Sequence, residues 1–212
     1  QLAGRIAQWV EVRAADIDSV PLIEEPEMSH ASVARGLLWQ DPALTLLDPA
    51  LGDADLRPWY GKLAGELSDA ATGQGLARRL EFPAAIAAVL ELKTHLRRDL
   101  SKAVAAGDRE AAEALAQGDL AELRRRVEAL WKRHRALWME TYKPFGWEVI
   151  EGRYGTVMAR LATLQERVDA YAAGDLDDLP ELTAELHHPW PGRGIDQAPL
   201  GSSRVRTPSC IK

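Results

Sequence analysis

The residues able to do chemistry are sparse. Five histidines occur, and His30, His95 and His134 stand alone, while His187 and His188 are adjacent. Neighbouring histidines on a helix point about 100° apart and rarely hold one ion. No His-x-x-x-His surrounds a glutamate, and Cys210 is the single cysteine, so no metal centre is expected and no disulfide can form within the chain. Gly-x-Ser-x-Gly and the phosphate-binding glycine loops are absent. Catalytic residues and cofactors are therefore expected to be none.

What stands out is aromatic. Seven tryptophans occur, Trp9, Trp39, Trp59, Trp131, Trp138, Trp147 and Trp190, against four Tyr and two Phe. Tryptophan stacks on the apolar face of a sugar ring and anchors interfaces, although core packing is its commoner use. Trp131 and Trp138, one heptad apart, fit the core reading. Trp39, Trp147 and Trp190 flank breaks and are better placed for a site or interface. The densest unusual stretch runs from Tyr142 through Lys143-Pro-Phe-Gly146 to Trp147 and Glu148, then Arg153-Tyr-Gly155 and Arg160. Its plain reading is a tight helix-to-helix turn with a capping glutamate. His134 lies on an apolar seam, either as a buried histidine with a backbone or carboxylate partner or as a polar residue that fixes packing or reaches a ligand. The basic run Arg124-Arg-Arg126, Lys132-Arg133 and Arg135 is interleaved with Glu122 and Glu128, which favours a solvated or salt-bridged face over a nucleic-acid surface.

The elements that position these residues are helices. The 212 residues carry 26 Lys+Arg and 32 Asp+Glu, a formal charge of −6, with 46% hydrophobic and 27% charged residues. That composition is globular and argues against nucleic acid. No apolar run approaches the ~20 residues of a membrane span. The middle is rich in Ala, Leu, Glu and Arg, and no strand pattern occurs.

The periodicity predicts helices over 1–14, from Ser29 to Trp39, briefly from Ala43 to Leu47 after Asp41-Pro42, and from Asp55 to a stop at Gly73-Gln-Gly75. Residues 19–26 read as loop. Three long helices follow: Phe82 to Ala105, Asp108 to about Tyr142 with a kink near Gly118-Asp119, and Trp147 to Ala173 with Gly174 as its cap. Val149, Ile150, Tyr154, Val157, Leu161, Leu164 and Val168 are expected inward on the last. Leu120, Leu123, Val127, Leu130, His134 and Leu137 recur in steps of three and four, a bundle or coiled-coil seam. A short helix opens near Asp178-Leu-Pro-Glu181, and an extended tail runs from 187 to 212. The expected fold is all-α: a bundle of three long helices, several short ones and that tail.

Several of these motifs resemble one family. His134-Arg-Ala-Leu-Trp138, Lys143-Pro-Phe-Gly146, Glu148-Val149, Arg153-Tyr-Gly155 and Ala159-Arg-Leu161 resemble the C-terminal helical region of bacterial β-N-acetylhexosaminidases of glycoside hydrolase family 20. So do Gly36-Leu-Leu-Trp39 with Asp41-Pro42, and Leu46-Leu-Asp48. The resemblance spans roughly residues 30–185. It implies a parent enzyme whose (β/α)8 barrel precedes this region and releases terminal N-acetylhexosamine by a substrate-assisted route. In that route an adjacent Asp-Glu pair orients the acetamido group and supplies the general acid. No Asp is followed by Glu in this sequence, and no barrel pattern is present.

The resemblance therefore implies a non-catalytic part. Residues 1–52 would connect to the barrel, 53–186 would form the helical domain, and 187–212 the tail. Partners would be the parent's barrel, a second copy in a homodimer, and an N-acetylhexosamine glycan through the parent enzyme, with neither nucleic acid nor membrane. Trp147, Glu148, Arg153, Arg160 and Trp39 would be substrate or interdomain contacts: tryptophan stacking, glutamate accepting sugar hydroxyls, arginine orienting a carboxylate. His134 and Trp138 would serve packing or a ligand, and Asp41 a helix cap. Two rival readings are a stand-alone module dimerising through the seam from Leu120 to Leu137, and a small-ligand binder around His134. Gln1 in place of an initiating Met points to a processed chain or a part of a longer one. One cysteine near the end fits a cytoplasmic setting.

Overall fold

The computed structural model describes residues 33–45, 47–51, 54–72 and 79–186. The expected helix over 1–14, the loop over 19–26, the Ser29 cap, the Gly73–Gly75 break, the histidine pair 187–188, Trp190 and the tail lie outside them. Among the described residues every regular element is a helix. In chain order these are α1 (Val33–Trp39), α2 (Asp48–Leu51), α3 (Arg57–Ala70), α4 (Glu81–Ala105), α5 (Arg109–Leu115), a π-helical turn (Ala116–Leu120), α6 (Ala121–Thr141), α7 (Trp147–Ala173) and α8 (Pro180–Thr183).

The three long helices follow their apolar stripes. On α4, Val89, Leu90, Leu96 and Leu100 are sealed from water. They meet Leu120 from the π-helical turn, Leu123, Val127 and Leu130 from α6, and Tyr154, Leu161, Leu164 and Val168 from α7 in one core. Burying each such Leu or Val contributes about 1.5–3 kcal/mol. The seam from Leu120 to Leu130 is thus occupied within the chain, and it opens toward water only at His134 and Leu137. α3 lies along α4, with Tyr60 inserted in the same core and Leu67 packed in a smaller cluster with Leu80.

Chain punctuation sets the helix ends. Gly107 takes φ 68°, and the N–H groups of Gly107 and Asp108 donate to the carbonyls of Val104 and Ala103 at 2.9 Å each. Only glycine occupies that left-handed position freely. Asp108 then caps α5 by accepting the Ala111 N–H at 2.9 Å. Asp108→Ala is expected to cost about 1 kcal/mol, read as a lower urea midpoint at unchanged slope. Gly174 (φ 88°) ends α7 in the same manner.

The kink expected near Gly118-Asp119 is a π-helical turn over Ala116–Leu120. It keeps Ala112, Ala116 and Leu120 facing the core before the steps of three and four begin. It also turns the Asp119 carboxylate to the buried His95, whose Nε2 lies 3.1 Å away.

Two expectations fail. Among the described residues of the expected Ala43–Leu47 helix none is helical; the short helix is α2, which begins at Asp48, where a stop was expected. The cause is competition for backbone groups. Lys93 Nζ donates to the Leu38 and Gln40 carbonyls at 2.6 Å, and Arg97 donates to the Ala43 carbonyl at 2.7 Å. Gln40 Oε1 accepts the Leu47 N–H, and Asp41 accepts those of Ala43 and Leu44. With these groups engaged by side chains, an intrahelical ladder has nothing to gain. Val149, expected inward, is instead exposed. It lies about 200° around the helix from Trp147, outside the face that Trp147, Ile150, Tyr154 and Val157 turn to the core.

Candidate functional site

The unusual stretch forms the turn between α6 and α7, and its shape follows from three local devices. Gly146 sits at φ 91°, a conformation that calls for glycine, while a Cβ there would make only ordinary contact with the Trp138 ring at 3.5 Å. Trp138 Nε1 donates to the Lys143 carbonyl at 3.0 Å. Glu148 Oε2 accepts the Gly146 N–H at 2.8 Å. Glu148 is thus the cap of its own helix, exposed at its start.

Behind the turn lies a cluster of rings. His134 is ringed by Phe82 at 4.4 Å, Trp147 at 5.2 Å and Tyr154 at 5.8 Å between centroids. Trp138 lies 5.9 Å from Trp147, and Trp39 meets Tyr154 edge-on at 4.8 Å. The fold therefore brings together four residues that sequence reasoning singled out, Trp39, His134, Trp138 and Trp147, and adds Tyr154 at their centre. Trp147 and Tyr154 are buried; Trp39, His134 and Trp138 are half-buried. His134 Nδ1 lies 3.1 Å from the Tyr154 hydroxyl, so its partner is a phenol, not a backbone group or carboxylate. Burial lowers the His134 pKa and raises that of Tyr154. Both directions favour a neutral imidazole that accepts the phenol proton.

Arg160 is already engaged: Nε donates to Asp41 Oδ2 at 2.6 Å. Asp41, expected to cap a helix, instead accepts the Ala43 and Leu44 N–H groups of a turn, and it also anchors α7. Burial pushes its carboxyl up, but the Arg160 bond and two backbone N–H groups outweigh that and hold it below 3.8. Glu181 behaves alike: burial raises it, and Arg167 brings it below 4.5. Carboxyls lowered in the folded state stabilise above their unfolded pKa, and that stabilisation fades as pH falls through the folded values. Burial raises Asp48 and works in the opposite sense. Denaturant titrations between about pH 5 and 2 are expected to show a stability loss that is shallower in Asp41→Asn.

Arg153 differs from Arg160. It is half-buried, and its Nε is buried without an acceptor among the described residues. The basic run proves to be a salt-bridged face. Arg126 holds Glu91 and Glu122, Lys132 holds Glu128, Arg133 holds Glu81, and Arg135 lies over the Trp131 ring at 4.6 Å.

Outside this supported turn stands an apolar set that sequence reasoning did not isolate. Phe145 is 82% exposed, Tyr142 64%, Val149 57% and Met139 45%. Tyr142 and Phe145 lay in the noted break, but a folded turn was needed to show which rings point outward. Among the described residues no group of His, Cys, Asp and Glu is arranged to hold a metal, and no helix is long and apolar enough to cross a membrane.

No curated protein matches the chain. Residues 9–196 match the family model described as the Glycoside Hydrolase 20C C-terminal domain, over most of the length and across every motif considered above. The chain belongs to the glycoside hydrolase 20C C-terminal domain family.

Proposed function

We propose that this chain is the non-catalytic helical part of a β-N-acetylhexosaminidase and that the turn between α6 and α7 packs against the parent's catalytic barrel. The observation that carries this is the exposed apolar set Met139, Tyr142, Phe145 and Val149, mounted on a rigid ring cluster. Exposed large apolar side chains gathered at one turn favour an interaction site. The family membership supplies the partner. In this reading residues 1–52 connect to the barrel, their later part seated in the bundle core through Leu37, Leu47 and Leu51. Residues 53–186 form the supporting domain, and 187–212 a tail.

Trp39, Trp138, Trp147 and His134 serve by packing, holding the turn at a fixed angle. Glu148 sets the helix start, and its other oxygen, which has no partner among the described residues, is offered to a polar contact at the rim of the barrel's site, where the N-acetylhexosamine glycan is held. Arg160 fastens α7 to the segment that follows α1. A homodimer would need a face other than the seam from Leu120 to Leu130, which the bundle already buries. The single cysteine supports a reducing, cytoplasmic setting.

The purified chain is expected to release no chromophore from a chromogenic N-acetylglucosaminide; measurable turnover would overturn the non-catalytic assignment. In the full-length parent, Phe145→Ser is expected to lower the thermal midpoint while leaving that of the isolated chain unchanged. Equal behaviour in both contexts would remove the turn as the contact.

A further inference from the structure

Arg153 holds the one cationic nitrogen on α6 and α7 that is buried and lacks an acceptor among the described residues. Its neighbours are satisfied. Arg126, Lys132, Arg133, Arg160 and Arg167 each hold a carboxylate, and Arg124 is exposed, where water serves it. Along α7, Val149, Arg153, Thr156 and Arg160 are spaced by four, three and four and therefore share one face. At one end of that stripe Val149 is exposed and apolar, and at the other Arg160 is neutralised by Asp41. Arg153 stands between them, one helical turn from the exposed valine.

This placement has a consequence under the docking proposed above, on which it rests. Covering Val149 and Phe145 with another surface removes water from Arg153 as well. A guanidinium deprived of water without an anionic partner is strongly unfavourable, whereas a carboxylate in the plane of its N–H fork meets both needs. An apolar surface alone does not fit this face. We infer that the partner surface presents an acidic side chain, from the parent's catalytic domain, that pairs with Arg153 beside the apolar contact made by Phe145 and Val149.

Hydrogen exchange of the backbone amides over 142–150, measured in the full-length parent at low and high salt, tests this with three proteins: wild type, Arg153→Met and Phe145→Ser. Methionine keeps the length and removes the charge, and an unchanged thermal midpoint of the isolated chain certifies the fold. The wild type is expected to be protected, and raising the salt to ~1 M to weaken that protection. Arg153→Met is expected to exchange about fivefold faster at low salt and to show no further salt response. Arg153→Lys should retain part of the salt response, because charge persists without the fork. Phe145→Ser should lose protection at every salt concentration. If Arg153→Met exchanges as the wild type does while Phe145→Ser does not, the docking stands and the acidic partner is overturned. If neither variant departs from the wild type, the docking face falls and this inference with it. Protection that rises with protein concentration assigns the face to a second copy and overturns the barrel carboxylate.

Discussion

Lys93→Ala is expected to cost about 3–5 kcal/mol, a large share of the 5–15 kcal/mol that holds a typical domain folded. The side chain is buried, and its ammonium nitrogen donates to the Leu38 and Gln40 carbonyls, both at 2.6 Å. Truncation opens a cavity, orphans both carbonyls and removes a positive charge near Asp41 and Asp48. Arg97, through the Ala43 carbonyl, and Arg160, through Asp41, would then hold the segment. Lys93→Met refills most of the volume but leaves the carbonyls unpaired, so it should fall between wild type and alanine. Urea denaturation of the three proteins checks the order; an alanine variant within 1 kcal/mol of wild type would show that the segment holds without the lysine.

The same residue gives stability a pH slope. Burial pulls the Lys93 pKa from 10.5 to about 7, against the pull of Asp41 and Asp48. Between those values the unfolded chain binds the proton more readily than the folded one, so stability rises with pH across that window. The neutral amine still carries two hydrogens, enough for both carbonyls. In Lys93→Met that rise should disappear.

Tyr154→Ala is the second large effect, at about 3–5 kcal/mol. Tyr154 is almost sealed from water and touches the rings of Trp39, His134 and Trp147. Losing the ring frees Trp39 on one side and His134 on the other, so the turn loses its support. Tyr154→Phe should cost only about 1 kcal/mol, because the ring stays and only the hydrogen bond to His134 Nδ1 goes. Denaturation midpoints for the pair separate packing from hydrogen bonding. Equal costs would mean that the hydroxyl, not the ring, organises the cluster.

The long helices were legible because nothing competes with their periodicity. Trp147–Ala173 begins and ends where its glycines and apolar steps say it should. The segment from Gln40 to Leu47 was not legible. Asp41-Pro42 is a sound local helix start, but Lys93 and Arg97, more than 50 positions away, claim the carbonyls. These two cations lie on α4 at the spacing of its apolar stripe, but their charge argues for water, and only the folded chain brings the carbonyls that hold them inward. His95 misled in the same way: alone in sequence, it is buried beside Asp119 because of a π-helical turn. At the junction, residue types were legible and directions were not. Trp147 and Phe145 are two positions apart in one motif, yet one is buried and the other is the most exposed large apolar residue described. The Gly146 backbone, at φ 91°, makes that difference.

Phe145 and its neighbours are expected to be covered in the parent enzyme. The most direct measurement places a thiol there: Phe145→Cys with Cys210→Ser, labelled by a maleimide both in this chain alone and in the full-length parent. Rapid labelling is expected of the chain alone, and labelling at least tenfold slower in the parent. Equal rates would contradict that covering, because a residue that reacts as freely in the whole enzyme as in the isolated domain lies against nothing.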